Sequence, residues 1–242
     1  MRKRHTVIPL SILAFLLIVT PLVAQDESPI IDPIVVESEA PDGLDLVGDF
    51  YLVDPERPTV ILLHELYATR AMWRPVIGLL LAHDYNVLAV DLRGFGQTRG
   101  RIAWRSAVDD VAAWFTWLRT EGGVRGDAIS TMGSSMGSTL AIVGCANDAH
   151  CPTAIAVSPG WSYYGISVEE AFSETLGERP VLLVYAENDR WPALGVPRMM
   201  EIASDNVVEQ VYPRNTHGID LMRKQQETFV PLFLEWLASH GG

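Results

Sequence analysis

The stretch STMGSSMGSTLA, residues 130–141, sets two serines side by side between glycines. Gly133-Ser134-Ser135-Met136-Gly137 reads as G-x-S-x-G with Ser135 at its centre. The match is modest alone. Its meaning rests on a strand leading in, a helix leading out, and an acid and a histidine later in the chain. DAIST (127–131) is strand-like and MGSTLAIVG (136–144) helix-like, so Ser135 falls on the turn between them. Such a turn lifts the central hydroxyl clear of the sheet. It also aims the amide end of the next helix at that hydroxyl, where developing negative charge is stabilised. The flanking glycines leave room where side chains would collide. Ser134 is one step off and points elsewhere, so the pattern selects Ser135 as a nucleophile.

The surrounding chain alternates in the same rhythm. PTVILLH (58–64), YNVLAVDLRG (85–94), PTAIAVSPG (152–160) and RPVLLVYAENDR (179–190) are short apolar runs ending in polar loops, the mark of buried strands. Helical spacing separates them at 70–83, 104–120 and 135–146, and returns in QQETFVPLFLEWLASH (225–240) after a strand-like NVVEQVYP. Trp73, Trp114 and Trp117 fall where helices would pack inward. Ahead of all this, IVVESEAPDGLDLVGDFYLV (34–53) reads as two strands joined at Asp42-Gly43. Strand and helix in this order predict an α/β fold: a mostly parallel sheet with helices on both faces and ligands beyond the carboxyl ends of the strands.

A nucleophilic serine needs a base, and the base an orienting acid. His217, in YPRNTHGID, follows the last predicted strand. His5 and His240 are terminal, His83 and His150 sit at element ends, and His64 closes a buried strand as a structural residue. Asp189 lies in the loop past a strand end, with Glu187 the rival acid two residues earlier. The chain order Ser135, Asp189, His217 is that of one of the known triad arrangements.

The 242 residues suit one sizeable core. Residues 1–25, MRKRHTVIPLSILAFLLIVTPLVAQ, have a basic start, an apolar stretch and a small Ala24 before a polar segment, the layout of a secretory signal cleaved after Ala24. The alternative is an uncleaved membrane anchor. Residues 26–32 form a linker, and one domain fills 33–242. Cleavage leaves 15 Lys/Arg against 30 Asp/Glu, a net charge of −15. That balance offers no attraction to nucleic acid or to an anionic membrane surface. The protein is thus expected to be secreted or periplasmic, without stable membrane contact once cleaved. Export permits a Cys145–Cys151 bridge, the alternative being two unpaired, partly buried thiols. No cofactor or metal motif is present.

From about residue 33 onward the chain resembles the α/β-hydrolases, on LLHELYATRAMW (62–73), VDLRGFGQT (90–98), GSSMG and the spaced acid and histidine loops. It is similar to dienelactone-hydrolase-like and carboxylesterase-like members without a large cap. Only GWSYYGISVEEAFSETLGER (160–179) lies where many relatives insert one, room for a loop and a short helix. The resemblance implies Ser135 as nucleophile, His217 as base, Asp189 as its partner, and an oxyanion hole from the backbone N–H groups of Leu66 and Met136. Taken with the signal layout and the small insertion, it leads to the expectation of an exported esterase acting on small or short-acyl substrates through an acyl-enzyme. A peptidase of the same fold and an inactive binding protein are the rivals.

One departure stands out. Esterases commonly carry His-Gly where this chain has His64-Glu65; the dienelactone hydrolases have an acid there but a cysteine nucleophile. Glu65 either orders water or substrate, or faces solvent. Asp91 is expected to fix its loop as a hydrogen-bond acceptor. Tyr67, Trp161, Tyr164 and Trp191 are placed to line the substrate or simply to pack their loops.

Overall fold

A computed structural model describes residues 31–242. The segment read as a signal, 1–25, lies outside the described residues, as does most of the linker. The described residues open with β1 (Ile34–Glu39), β2 (Asp45–Tyr51) and β3 (Thr59–Leu63), followed by α1 (Arg74–Leu81), β4 (Asn86–Val90) and α2 (Trp104–Thr120). The middle holds β5 (Ile129–Ser134), α3 (Met136–Asn147), β6 (Ala154–Val157) and a small hairpin of β7 (Ser162–Tyr163) and β8 (Ile166–Ser167). It finishes with β9 (Val181–Ala186), α4 (Arg190–Ile202), β10 (Val207–Tyr212), α5 (Gly218–Lys224) and α6 (Gln226–His240).

Eight strands form one sheet in the order β1-β2-β4-β3-β5-β6-β9-β10. The β1–β2 and β2–β4 pairs are antiparallel and the rest are parallel. Strand sides alternate residue by residue. Val60 and Leu62 pack towards α1, α5 and α6, while Ile61 and Leu63 pack towards α2, α3 and α4. Both faces are therefore covered, which is why the central strands read as unbroken apolar runs. The predicted turn after β1 is there: Gly43 has φ 80 and the Ala40 N–H donates to Leu44 O at 2.9 Å.

From β3 the chain winds outward to β4 on one side and to β5 on the other. The loops after β3 and β5 thus leave in opposite directions, opening a crevice at the carboxyl edge of the sheet. Two structural devices hold that edge. Asp91 accepts the N–H groups of Arg70 and Gln97, each at 2.8 Å, and pairs with the Arg70 guanidinium, as the sequence predicts. A Cβ at Gly96 would sit 2.0 Å from its carboxylate, so that loop closes only with glycine there.

Cys145 and Cys151 form a disulfide with a Cα–Cα distance of 5.2 Å. It staples the end of α3 to the approach of β6. The Arg179 guanidinium donates to the carbonyls of Cys145 and Asp148 at 2.7 Å and of Ala146 at 2.9 Å, satisfying acceptors that a helix end leaves open.

The segment 160–179 holds the expected loop and short helix, with the loop closed into a hairpin that the sequence did not announce. It folds as the β7–β8 hairpin followed by a π-helical turn at Ala171–Thr175. The hairpin turns at Tyr164-Gly165, with φ 51 and 85, a two-residue loop with both residues left-handed. A tyrosine in place of the usual Asn or Asp hides that turn from a sequence reading.

Candidate active site

β5 delivers Ser135 to the carboxyl edge of the sheet in a left-handed conformation, φ 51 and ψ −116. Serine rarely adopts positive φ, and holding it there costs on the order of 1–3 kcal/mol. The neighbours over-determine the turn. The Ser135 N–H donates to Val157 O at 2.8 Å, and the Ser138 N–H to Ser135 O at 3.0 Å. A Cβ at Gly133 would lie 2.0 Å from Gly137 O, and one at Gly137 would lie 2.1 Å from Leu63 O. Both glycines are therefore required. The second contact also shows that α3 begins directly against the end of β3.

Ser135 Oγ lies 2.8 Å from His217 Nε2, and His217 Nδ1 lies 2.6 Å from Asp189 Oδ2. The three side chains come from separate segments: the β5–α3 turn, the loop after β9, and the loop between β10 and α5. The Asp189 side chain is 9% exposed, whereas 41% of the His217 side chain is open to solvent. With its oxygen accepting from Nδ1–H, Asp189 leaves Nε2 as the free acceptor facing the serine. Partial burial pulls the His217 pKa down. The hydrogen bond and charge of Asp189, with the charge of Glu65 added, outweigh it and leave the imidazole above its ordinary 6.5. Glu187 turns away and accepts the Arg214 N–H at 3.0 Å.

Met136 opens α3, where the first amides have no partner within the helix. Leu66 sits in a tight turn in which the Ala68 N–H donates to Glu65 O at 3.1 Å. That turn is anchored by His64, fully buried, whose Nδ1–H donates to Glu65 O at 2.7 Å and whose Nε2 accepts the Leu92 N–H at 2.9 Å. Burial lowers the His64 pKa, and these two bonds suit only the neutral ring. His64 is thus a peg for the Leu66 loop.

Glu65 does not hang free in solvent. Its Oε2 accepts the Ser134 hydroxyl at 3.0 Å and the Ile219 N–H at 3.3 Å. Tyr67 is 86% exposed and Tyr164 58%, both with left-handed backbone. Trp191 is exposed beside the Arg190 guanidinium, and Trp161 is half-buried with the Arg198 guanidinium 3.9 Å over its ring.

The sequence reading missed Phe95 and Trp104. They link the two exposed tyrosines into a row, with ring centroids 6.4 Å apart from Tyr67 to Phe95, 6.0 Å from Phe95 to Trp104 and 5.3 Å from Trp104 to Tyr164. The row joins the loop after β3 to the hairpin. Its one local signal is Phe95 between Gly94 and Gly96, an aromatic ring on a loop with no strand or helix to bury it. Among the described residues no three His, Cys, Asp or Glu side chains converge as a metal site needs.

By structure the chain is similar to the Pyrococcus furiosus esterase Pf2001, at 22% identity over 88% of this chain and 92% of that one, TM-score 0.77. It is also similar to a dienelactone hydrolase from Anabaena variabilis, at 15% identity over 87% and 100% of the chains, TM-score 0.71. An esterase from Exiguobacterium antarcticum matches at 14% identity over 85% and 100%, TM-score 0.65. No curated protein matches by sequence. At these identities the likeness concerns the fold. The family model for the alpha/beta hydrolase fold matches residues 58–179. That span covers half of the chain and runs from β3 through the serine turn to the hairpin, so the protein belongs to the α/β-hydrolase family.

Proposed function

We infer that this protein is an exported serine hydrolase of carboxylic esters, its domain occupying residues 33–242. The observation that carries the reading is the unbroken chain of hydrogen-bond distances from Ser135 through His217 to Asp189. In the proposed reaction Ser135 Oγ attacks the ester carbonyl while His217 Nε2 takes its proton. The N–H groups of Leu66 and Met136 receive the negative oxygen of the tetrahedral intermediate, each worth roughly 3 kcal/mol of barrier. The C–O bond to the alcohol breaks, the alcohol leaves with the proton held by His217, and an acyl-serine remains. Water, deprotonated by His217, then attacks the acyl carbon and releases the acid and the free serine.

The similarity to two esterases and a dienelactone hydrolase supports this substrate class. The disulfide supports an oxidising compartment. A fluorophosphonate probe with mass mapping tests the reading. An adduct on Ser135 in the folded protein is the expected result, and an unlabelled folded protein would overturn it.

The charge state of His217 sets the pH profile. The base must be neutral to accept the serine proton, so activity is lost as pH falls through its pKa. That pKa is raised in the fold, so the acid limb of kcat/KM is expected to have its midpoint above 6.5 in the free enzyme. A profile flat from acid to alkali, with the fold intact, would contradict the assignment.

The mouth of the site favours short acyl groups. The hairpin and the π-helical turn stand where a cap would be inserted, and the row from Tyr67 to Tyr164 is expected to serve as a floor without a roof. A methylene adds about 0.8 kcal/mol only where a wall covers it. We expect kcat/KM to peak at acyl chains of roughly two to six carbons on that reasoning, with no activation on lipid droplets. Tyr164→Ala should flatten the preference while leaving the probe reaction at Ser135 intact. Trp161, backed by Arg198 and the core, is the second wall. Steady gains out to long acyl chains would mean that a deeper trough exists.

A further inference from the structure

The two serines of the opening motif face opposite partners. Ser135 meets His217, while the buried Ser134 gives its hydroxyl to Glu65 Oε2 at 3.0 Å. The same oxygen accepts the Ile219 N–H at 3.3 Å, two residues beyond His217. A Cβ at Gly218, where φ is 57, would lie 2.1 Å from it, so the histidine loop is moulded onto this carboxylate. The Gly218 N–H donates to Ser158 Oγ at 2.9 Å, fixing the other side of the loop. Glu65 itself stands between His64, the peg, and Leu66, the oxyanion donor. The serine turn and the histidine loop therefore meet on one carboxylate oxygen, carried by the loop of the oxyanion donor.

We propose that Glu65 is a positioning residue that clasps Ser134 and the Ile219 amide, holding the His217 loop in register with the nucleophile. Its charge adds a second effect. Two carboxylates act on the imidazole, Asp189 by direct hydrogen bond and Glu65, from the loop after β3, by its charge alone, and both favour the imidazolium formed when the serine proton transfers. Glu65 is not the base: the serine proton has His217 at 2.8 Å. The departure from His-Gly to His64-Glu65 and the doubling of the serine are one device, since the carboxylate has a hydroxyl to hold only because Ser134 is there.

The inference rests on the serine-hydrolase reading, so its test includes a measurement that needs no turnover. Glu65→Gln keeps the length and an acceptor for Ser134 but removes the charge. Glu65→Asp keeps the charge but falls one carbon short of both partners. Ser134→Ala removes one of the two donors. For each, kcat and KM are measured across pH on p-nitrophenyl acetate, and the His217 ring is titrated directly by NMR.

Glu65→Gln is expected to lower kcat about 10-fold with KM within about 2-fold, as loss of an interaction felt in the transition state does. It should also move both the acid limb and the ring titration to lower pH. Glu65→Asp is expected to lose kcat without that shift. Ser134→Ala should cost kcat several-fold, and combined with Glu65→Gln it should add less than its separate loss, because the pair shares a contact. Unmoved titration in Glu65→Gln with only a lower melting temperature would reduce Glu65 to a structural prop and overturn the proposal, as would fully additive losses. If the Gln variant fails to fold, Ser134→Ala decides by its split of kcat from KM. A parent whose Ser135 resists the probe would sink the hydrolase reading, leaving the ring titration to judge the clasp.

Discussion

Replacing Ser135 by Ala should reduce ester hydrolysis on the order of 10⁶-fold in kcat, the scale on which removing a serine nucleophile from a working triad acts. The loss comes without unfolding. Alanine keeps the left-handed backbone of the turn, φ 51, and the Ser135 amide keeps its bond to Val157 O. Thermal stability of Ser135→Ala should therefore stay within about 0.5 kcal/mol of the parent. Ser135→Gly separates strain from chemistry. Glycine accepts positive φ without the penalty that serine carries, and after the cost of a floppier unfolded chain a net gain of about 1 kcal/mol is expected. Both variants should refuse the fluorophosphonate, while Ser134→Ala takes it. A dead enzyme that is also unfolded would show only that the turn matters. A live Ser135→Ala would move the nucleophile elsewhere.

The fold was legible because its determinants are local. β3, β4, β6 and β9 each announce themselves as a short apolar run, and α2 by its helical spacing. The serine turn carries its own proof in Gly133 and Gly137, whose positions permit no Cβ. His217 and Asp189, whose side chains the fold brings beside Ser135, could be singled out by elimination and by chain order, since each lies in a polar loop just past a strand. His64 and Asp91 were readable for the same reason: buried polar residues at strand ends must spend their hydrogen bonds on loops.

What stayed hidden depends on meetings between distant segments. Ser134 and Glu65 are 69 residues apart, and no period in the sequence joins them. The sequence could say only that Ser134 points away from Ser135, not at what. Phe95 and Trp104 belong to a glycine loop and a helix start, and their contact with Tyr67 and Tyr164 exists only after the sheet brings the connections after β3, β4 and β6 to one edge. Arg179 reads as an ordinary residue ahead of β9, yet its guanidinium closes the end of α3 beside the disulfide. A long, forked side chain reaches partners that its own neighbours in sequence do not predict. The Tyr164-Gly165 turn was missed for a different reason: tertiary packing of Tyr164 on Trp104 holds a backbone conformation that tyrosine does not favour by itself.

Asp189→Asn should lower kcat by roughly 10⁴-fold while the protein keeps its fold, because the loss is one of proton placement rather than of packing. In the parent, Asp189 Oδ2 lies 2.6 Å from His217 Nδ1 and can only accept. That forces the ring proton onto Nδ1 and leaves Nε2, 2.8 Å from Ser135 Oγ, free to take the serine proton. An amide at the same position can turn its NH₂ towards Nδ1. The ring proton is then driven to Nε2, where it faces the serine as a donor. Removal of the negative charge also withdraws support from the imidazolium, so the His217 titration should move to lower pH. The two consequences are separable: raising the pH cannot restore activity, because the defect is in the tautomer and not in the charge of the ring. Glu187→Gln is the matched control. That carboxylate sits two residues away on the same loop but accepts the Arg214 N–H instead, and its amide still offers an oxygen to that donor. Activity within a few-fold of the parent is expected for it. If Glu187→Gln were the crippled variant and Asp189→Asn the active one, the acid of the triad would have to be reassigned, and the orientation of His217 with it.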